Sequence, residues 1–304
     1  MNPLVLTDTF INICYQIYYL KISSYTKSIV RLEGITKWHR KIIRRNKWTN
    51  LPMKITTNKK ITSMLKTHNY DNLHLGSRIS DKGIIKLIHI HTLNLSHTKV
   101  TDKGVSKLVN VHTLDLTNTR ITDKSVSKLV NVHTLNLMMT RITDEGVVNL
   151  ANVHTLNLSY TQITDIGASK LVNVHTLNLK DTYVTDKSMP NLTNVHTLNL
   201  SMTAVTDAGI SKLVSVHTLI LTRTKIMHIP KLMNIHTLIL EHTNITDTSI
   251  SKLGYVHTLD LTDTKITDIG LIHLTNVRTL YLKNVKISDF CTKKLRENGC
   301  VIYQ

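Results

Sequence analysis

The triplet His-Thr-Leu recurs every twenty-one residues, at His91, His112, His133, His154, His175, His196 and His217, and then at His236 and His257. A unit this short, repeated at so fixed a period, is one strand and its return, and it exposes an apolar flank until a neighbour covers it. Stacking such units buries the flanks in a shared core, so length becomes a count of turns. The chain's 304 residues therefore read as an open solenoid rather than as two average domains. A solenoid presents a long continuous surface, and binding is the function class that surface favours.

Aligning the L-x-L cores places eleven strands, centred on Leu73, Leu93, Leu114, Leu135, Leu156, Leu177, Leu198, Leu219, Leu238, Leu259 and Leu280. In the unit at residues 111–132, a period of two sends Val111, Leu114 and Leu116 inward, and Thr113, Asp115 and Thr117 outward onto a concave parallel sheet. Ile121, Val126 and Leu129 close the core from the convex side, after a Thr122-Asp123 pair suited to cap one helical turn. Ten of the eleven units carry Thr-Asp or Ser-Asp there. The exception is a unit two residues short, in which Ile226 leads into Met227-His228-Ile229-Pro230. Lacking the cap and carrying Pro, its outer crossing is expected to be extended, with a local change of curvature. Thr98, Thr119, Thr140, Thr161, Thr182, Thr203, Thr224, Thr243 and Thr264 stand where strands end, and their hydroxyls are expected to pair with loop backbone. The C-terminal residues 287–304 read as a helix followed by an apolar half-turn that caps the stack.

Nine His on successive strands would lie about 4.8 Å apart. Two ligands on one zinc, each about 2.0 Å from the metal, sit closer than that, and no Cys or carboxylate stands at a fixed offset, so no metal ligand and no cofactor is assigned. The rings are expected to stack half exposed, to satisfy loop carbonyls, and to destabilise the fold when they charge below a pH of about 6.5.

Residues that repeat identically carry the fold, so recognition is expected where the concave face departs from small polar residues. The candidate substrate-binding residues are Met138, Tyr160, Lys180, Met202, Ile220, Arg223, Ile239, Glu241, His242 and Tyr281. Ile220 and Ile239 weigh most, because outward aliphatics on adjacent turns, flanked by Arg and Glu, look like a binding hot spot. Drift within a tolerant array accounts equally well for any single departure. No G-x-S-x-G, Walker-type or H-E-x-x-H motif occurs, so no catalytic residue is assigned and no enzyme is expected.

The net charge of +18 is uneven: residues 1–66 hold thirteen Lys and Arg against Asp8 and Glu33, a net +11. The run at residues 37–47, KWHRKIIRRNK, suits nucleic acid or a nuclear import signal, although a solvated helix face is the plainer reading. Cys14, Cys291 and Cys300 form no paired motif, which fits reduced thiols. Asn94, Asn157 and Asn199 begin N-L-S acceptors within strands, where a glycan would cover the concave face. Residues 10–20 are too short to span a bilayer. Together these features favour a monomeric protein of the cytoplasm or nucleus, without a membrane.

The units resemble leucine-rich repeats, and in their L-x-L-x-x-T-x-I-T-D-x-G-hydrophobic form they are similar to the arrays of F-box/leucine-rich-repeat proteins. The first sixty residues carry two apolar patterns at helical spacing. Ile35-Thr36-Lys37-Trp38 and Trp48-Thr49-Asn50-Leu51 resemble the second half of an F-box, and residues 6–14 its first half without the usual Leu-Pro. The resemblance implies an α/β architecture in three parts: a helical F-box-like domain at 1–60, leucine-rich repeats at 61–290 and a cap at 291–304. It further implies a substrate-recognition adaptor of a cullin–RING ubiquitin ligase, with Leu6, Phe10, Ile13, Ile35 and Trp38 docking the ligase adaptor protein and the solenoid holding a protein substrate. The competing expectation is an interaction scaffold whose basic head binds RNA, an acidic partner or nothing.

Overall fold

The computed structural model describes residues 53–55, 57–58, 61, 72–230, 232, 234–251 and 253–304. Leu6, Phe10, Ile13, Ile35 and Trp38 lie outside the described residues. The rest forms one sheet of thirteen parallel strands in strict chain order. These are β1 Met53–Ile55, β2 Asn72–Leu75, β3 Thr92–Asn94, β4 Thr113–Asp115, β5 Thr134–Asn136, β6 Thr155–Asn157, β7 Thr176–Asn178, β8 Thr197–Asn199, β9 Thr218–Ile220, β10 Thr237–Ile239, β11 Thr258–Asp260, β12 Thr279–Tyr281 and β13 Val301–Tyr303. Each central Leu pairs in register with the next, Leu114 with Leu135 and Leu238 with Leu259 among them. Two strands extend the expected set: β1 precedes residue 61, where the repeats were expected to begin, and β13 pairs with β12 to continue the sheet into the C-terminal cap.

The core is the inward file read from the period of two. Val111, Leu114, Leu116, Ile121, Val126 and Leu129 are all at most 1% exposed, and the same columns fill the stack from Leu73 to Leu282. Fully burying one such side chain contributes roughly 1.5–3 kcal/mol. With only twenty-one residues per unit, the return path has room for a single helical turn, as at Asp123–Val126 and Asp144–Val147. Pro190, lacking a donor, tightens one of these into a 3-10 turn at Met189–Asn191. In the short unit the described residues of the crossing between β9 and β10 carry no helical turn, while Ile229, Leu232 and Ile235 keep the core filled.

The convex Thr-Asp pair does more than cap a turn. Asp144 Oδ1 accepts the backbone N–H of Thr164 at 2.8 Å, and its Oδ2 accepts the Thr164 hydroxyl at 2.5 Å. The same two bonds join Asp81 to Thr101, Asp102 to Thr122, Asp123 to Thr143, Asp165 to Thr185, Asp186 to Thr206 and Asp247 to Thr267. Each carboxylate therefore staples its unit to the following one. A Cβ at Gly146 or Gly167 would collide with the stapling oxygen of Asp123 or Asp144, which explains the D-x-G spelling. Where Ser125 replaces Gly, its hydroxyl donates to Asp102 at 2.6 Å. Burial pushes the Asp102 carboxyl up, but the Ser125 and Thr122 donors outweigh it and hold the group below the usual carboxylate range. True capping by Thr is confined to some turns, as where Thr164 accepts from Ile166 N–H at 3.2 Å.

Candidate functional site

On the concave face a second ladder depends on Asn and Asp at the third position of strands β3 to β8 and β11. Asn157 Oδ1 accepts from both the backbone N–H and the hydroxyl of Ser159, at 3.0 and 2.7 Å. Asn94, Asp115 and Asn199 hold Ser96, Thr117 and Ser201 in the same way. Thr117, expected to face outward, is thereby tucked in to 8% exposure. This turn chemistry needs a carbonyl or carboxylate oxygen, and Ile220, Ile239 and Tyr281 supply none. Ile220 and Ile239 are direct cross-strand partners and half buried. They interrupt the polar ladder between Asn199 and Asp260 at the short unit.

The chain then turns through a left-handed residue after each strand from β3 to β12. His97, Asn118, Met139, Tyr160, Asp181, Met202, Arg223, His242, Asp263 and Asn284 all have φ between 51° and 60°. Such a conformation is uncommon outside Gly and costs most for bulky side chains. It is held by a further rung of backbone bonds, Tyr160 N–H to Lys180 C=O at 2.9 Å and Arg223 N–H to Glu241 C=O at 3.0 Å. These residues form a rim beside the concave sheet, with Met139 and Met202 exposed on it. The Thr column follows, and Thr161 donates to Leu158 C=O at 2.5 Å as expected of that position.

The sequence candidates accordingly fall into separate places. Ile220 and Ile239 lie on the sheet, with Arg223, Glu241 and His242 at the adjoining rim. Met138 and Lys180 lie two residues past the ends of β5 and β7, where their backbone N–H groups donate to the Asn136 and Asn178 side chains, and the Lys180 ammonium lies 5.5 Å from the centre of the Tyr160 ring. Met202 is a rim residue two strands from Tyr160. Tyr281 stands apart on β12, stacked on Tyr303 with centroids 4.8 Å apart. Two neighbours, Asp263 and Tyr183, were not among the ten candidates. Asp263 Oδ2 lies 3.3 Å from His242 Nε2, and Glu241 Oε1 lies 3.7 Å from the same nitrogen. These three side chains offer ligand atoms within 4.8 Å of one another and, among the described residues, are the group that could meet a metal ion. Tyr183, 69% exposed, was also missed; it stands where the preceding units have Arg78, Lys99, Arg120, Arg141 and Gln162, a column visible only when the loops are aligned as well as the strands.

The nine His form an unbroken stack along the other end of the strands, with centroids 4.5–4.8 Å apart and planes within 27°. Their partners differ from those expected. His112 Nδ1 meets the hydroxyl of Thr113 at 3.3 Å, as His91, His133, His154 and His236 meet their own following Thr, and no loop carbonyl is involved in these contacts. Burial and then the neighbouring imidazoles push His112 and His217 below the ordinary His range. At the C-terminal end, Cys291 and Cys300 are buried and unpaired. Burial and the Asp268 carboxylate raise the Cys291 thiol to about 11, which makes it a poor nucleophile at neutral pH. Among the described residues, no helix is long and apolar enough to cross a membrane.

Comparison with known proteins agrees with this architecture. Six segments, at 86–109, 110–130, 130–151, 149–172, 191–214 and 255–275, match the leucine-rich-repeat family model. An internalin of Listeria monocytogenes is 21% identical and superposes with a TM-score of 0.58 over 79% of this chain and 81% of its own. A leucine-rich-repeat protein of Leptospira interrogans is 18% identical, with a TM-score of 0.54 over 89% and 86%. The leucine-rich-repeat protein FLRT2, seen in an octameric complex with latrophilin 3 and Unc5D, is 19% identical, with a TM-score of 0.55 over 76% and 82%. No curated protein matches the chain by sequence. At these identities the structural likeness is one of fold, and with the repeat matches it identifies the described chain as a tandem leucine-rich-repeat solenoid.

Proposed function

We propose that this chain is a non-catalytic interaction scaffold whose concave face holds a protein partner at the Ile220/Ile239 step. The observation that carries the reading is the interruption of the polar ladder: two adjacent strands give up the Asn or Asp that locks every strand from β3 to β8, and present paired aliphatics instead. Arg223, Glu241 and His242 border the pair, giving the apolar centre and charged rim common to binding hot spots. FLRT2, a structural neighbour, was solved in a complex with other proteins, which is in keeping with this use of the fold.

The test is to identify a protein that the purified chain retains, then to titrate it against wild type and against Ile220→Asn/Ile239→Asn. A rise in Kd of about tenfold or more is expected from losing a central apolar pair. Equal affinity would move the site elsewhere.

A ubiquitin-ligase adaptor role is the finer reading, supported by the F-box-like spelling of Ile35-Thr36-Lys37-Trp38 and Trp48-Thr49-Asn50-Leu51. On that reading, the full chain retains the ligase adaptor protein at physiological salt and loses it on Ile35→Asp/Trp38→Ala. A wild-type chain that fails to retain the adaptor leaves the scaffold alone.

A further inference from the structure

The net charge is graded along the array as well as in its head. Counting from residue 67 to 142 gives ten Lys and Arg against five Asp, a net +5, whereas residues 143–304 hold fifteen against thirteen acids, a net +2. Within the basic part, one column is entirely cationic. Arg78, Lys99, Arg120 and Arg141 each precede the core aliphatic that follows the rim turn, and all four are exposed. A backbone bond from Lys99 N–H to Ile79 C=O at 3.1 Å ties that member of the column to the preceding unit. At a rung spacing of about 4.8 Å, the four cations span about 14 Å. None of them is in an ion pair among the described residues. The nearby Asp81, Asp102 and Asp123 direct their carboxylates to the Thr donors of the next unit.

The column does not simply fade into neutral surface. Its next two members are Gln162 and Tyr183, and there the rim opens into a depression of about 360 Å³ lined by Arg141, Tyr160, Gln162, Asp181 and Tyr183 together with the Thr column. Tyr183 is 69% exposed, and its backbone N–H is fixed to Ile163 C=O at 2.9 Å. The ring is thus an accessible face on an anchored backbone. Lys180, 5.5 Å from the centre of the Tyr160 ring, adds a cation at the same place. A line of cations leading to an aromatic platform, with amide and carboxylate groups beside it, is the arrangement that holds single-stranded nucleic acid: cations track phosphates, a base stacks on the ring, and polar groups meet base edges. An acidic protein segment would use the cations and leave the aromatic platform without a role.

We propose that the rim from Arg78 to Tyr183 binds single-stranded nucleic acid, with phosphates on Arg78, Lys99, Arg120 and Arg141 and a base on Tyr183. This surface is separate from the Ile220/Ile239 step and does not depend on the partner proposed there.

The experiment is fluorescence anisotropy of the full chain with a labelled 15-mer of oligouridylate, and in a parallel arm oligothymidylate, over a range of salt concentrations. Polyglutamate serves as competitor. Each phosphate contact to a single strand contributes about 0.7 to the slope of log K against log salt, so Arg120→Ala/Arg141→Ala is expected to flatten that slope by about 1.4 and weaken binding. Tyr183→Ala is expected to weaken binding about tenfold with the slope unchanged. A difference between the two oligonucleotides would identify RNA or DNA as the preferred source of the same chemistry. All substitutions are at exposed positions, and an unchanged melting midpoint checks the fold.

Three results would overturn the proposal. One is no binding by wild type at low salt. Another is binding that the rim variants leave intact, which would place it on the basic head. The third is full competition by polyglutamate together with a silent Tyr183→Ala, which would make the rim a surface for acidic protein.

Discussion

Between β3 and β8 each strand carries an Asn or Asp turn lock on the concave side, and carboxylate staples join the units on the convex side. Around β9 and β10 both devices change: Ile220 and Ile239 replace the turn lock, and Asp207, with no Thr ahead of it, accepts the backbone N–H groups of Met227 and His228 at 3.0 and 3.1 Å. The core does not change, since Leu219 and Leu238 are as buried as Leu156. The stack therefore rests on its apolar file, and the polar devices on its two faces are separable additions. Where they are released, the surface is free to take on other chemistry.

The sharpest way to break this comparison is to cut the core in both regions. Leu156→Ala and Leu238→Ala should each cost about 2–5 kcal/mol in urea unfolding; a much smaller cost at Leu238 would show that the short unit is a weak seam. Staples come next. Asp144→Ala leaves a half-buried Thr N–H and hydroxyl without their acceptor and should cost about 1–3 kcal/mol. Asp207→Ala should cost less, because the Asp207 side chain is 36% exposed and water replaces it. Restoring the turn lock should matter least to the fold. Ile220→Asn/Ile239→Asn is expected to stay within about 0.5 kcal/mol of wild type, so that any loss of partner binding reads as recognition.

A pH series sharpens the same contrast along the His stack, which runs through both regions. His112 and His217 lie below 6.5 in the folded chain, so the unfolded chain takes up protons first. Stability is then lost as pH falls through 6.5 toward the folded values, below which the loss is complete. The urea midpoint should be lower at pH 5.5 than at 7.5. Asp102, Asp165 and Asp268 are shifted down from 3.8, so their contribution is intact across that window and is lost only in stronger acid. An unchanged midpoint would mean that the stacked rings tolerate charge.

The strands, their register and the inward Leu, Val and Ile columns were legible because a period of two and a fixed repeat leave one consistent assignment. Thr161 and its equivalents were legible for a local reason: the acceptor is three residues back on the same loop. The staple was not. Asp144 and Thr164 are twenty residues apart, and a reading confined to one unit assigns Thr-Asp to helix capping. The rim escaped because the residues in its left-handed column include Met, Tyr and Arg, and no Gly marks the turn. The grouping of Glu241, His242 and Asp263 needed the lateral register of two units, and Tyr183 needed a column that the strand pattern does not reveal.

The staple has one more consequence, for how such a gene changes length. The Asp of each unit fits a slot, made by Thr and by Gly or Ser, that any following regular unit offers. Duplicating or deleting a whole unit between Asp81 and Asp186 therefore leaves every junction chemically the same as before. Copy number in that stretch is open to unequal recombination at little cost in folding. A crossover that moves the short unit instead sets its Met227 and His228 against whichever Asp now precedes them, and parts Ile220 from Ile239 on the unit that follows. The regular units are interchangeable parts, and the irregular one is fixed in place by its neighbours.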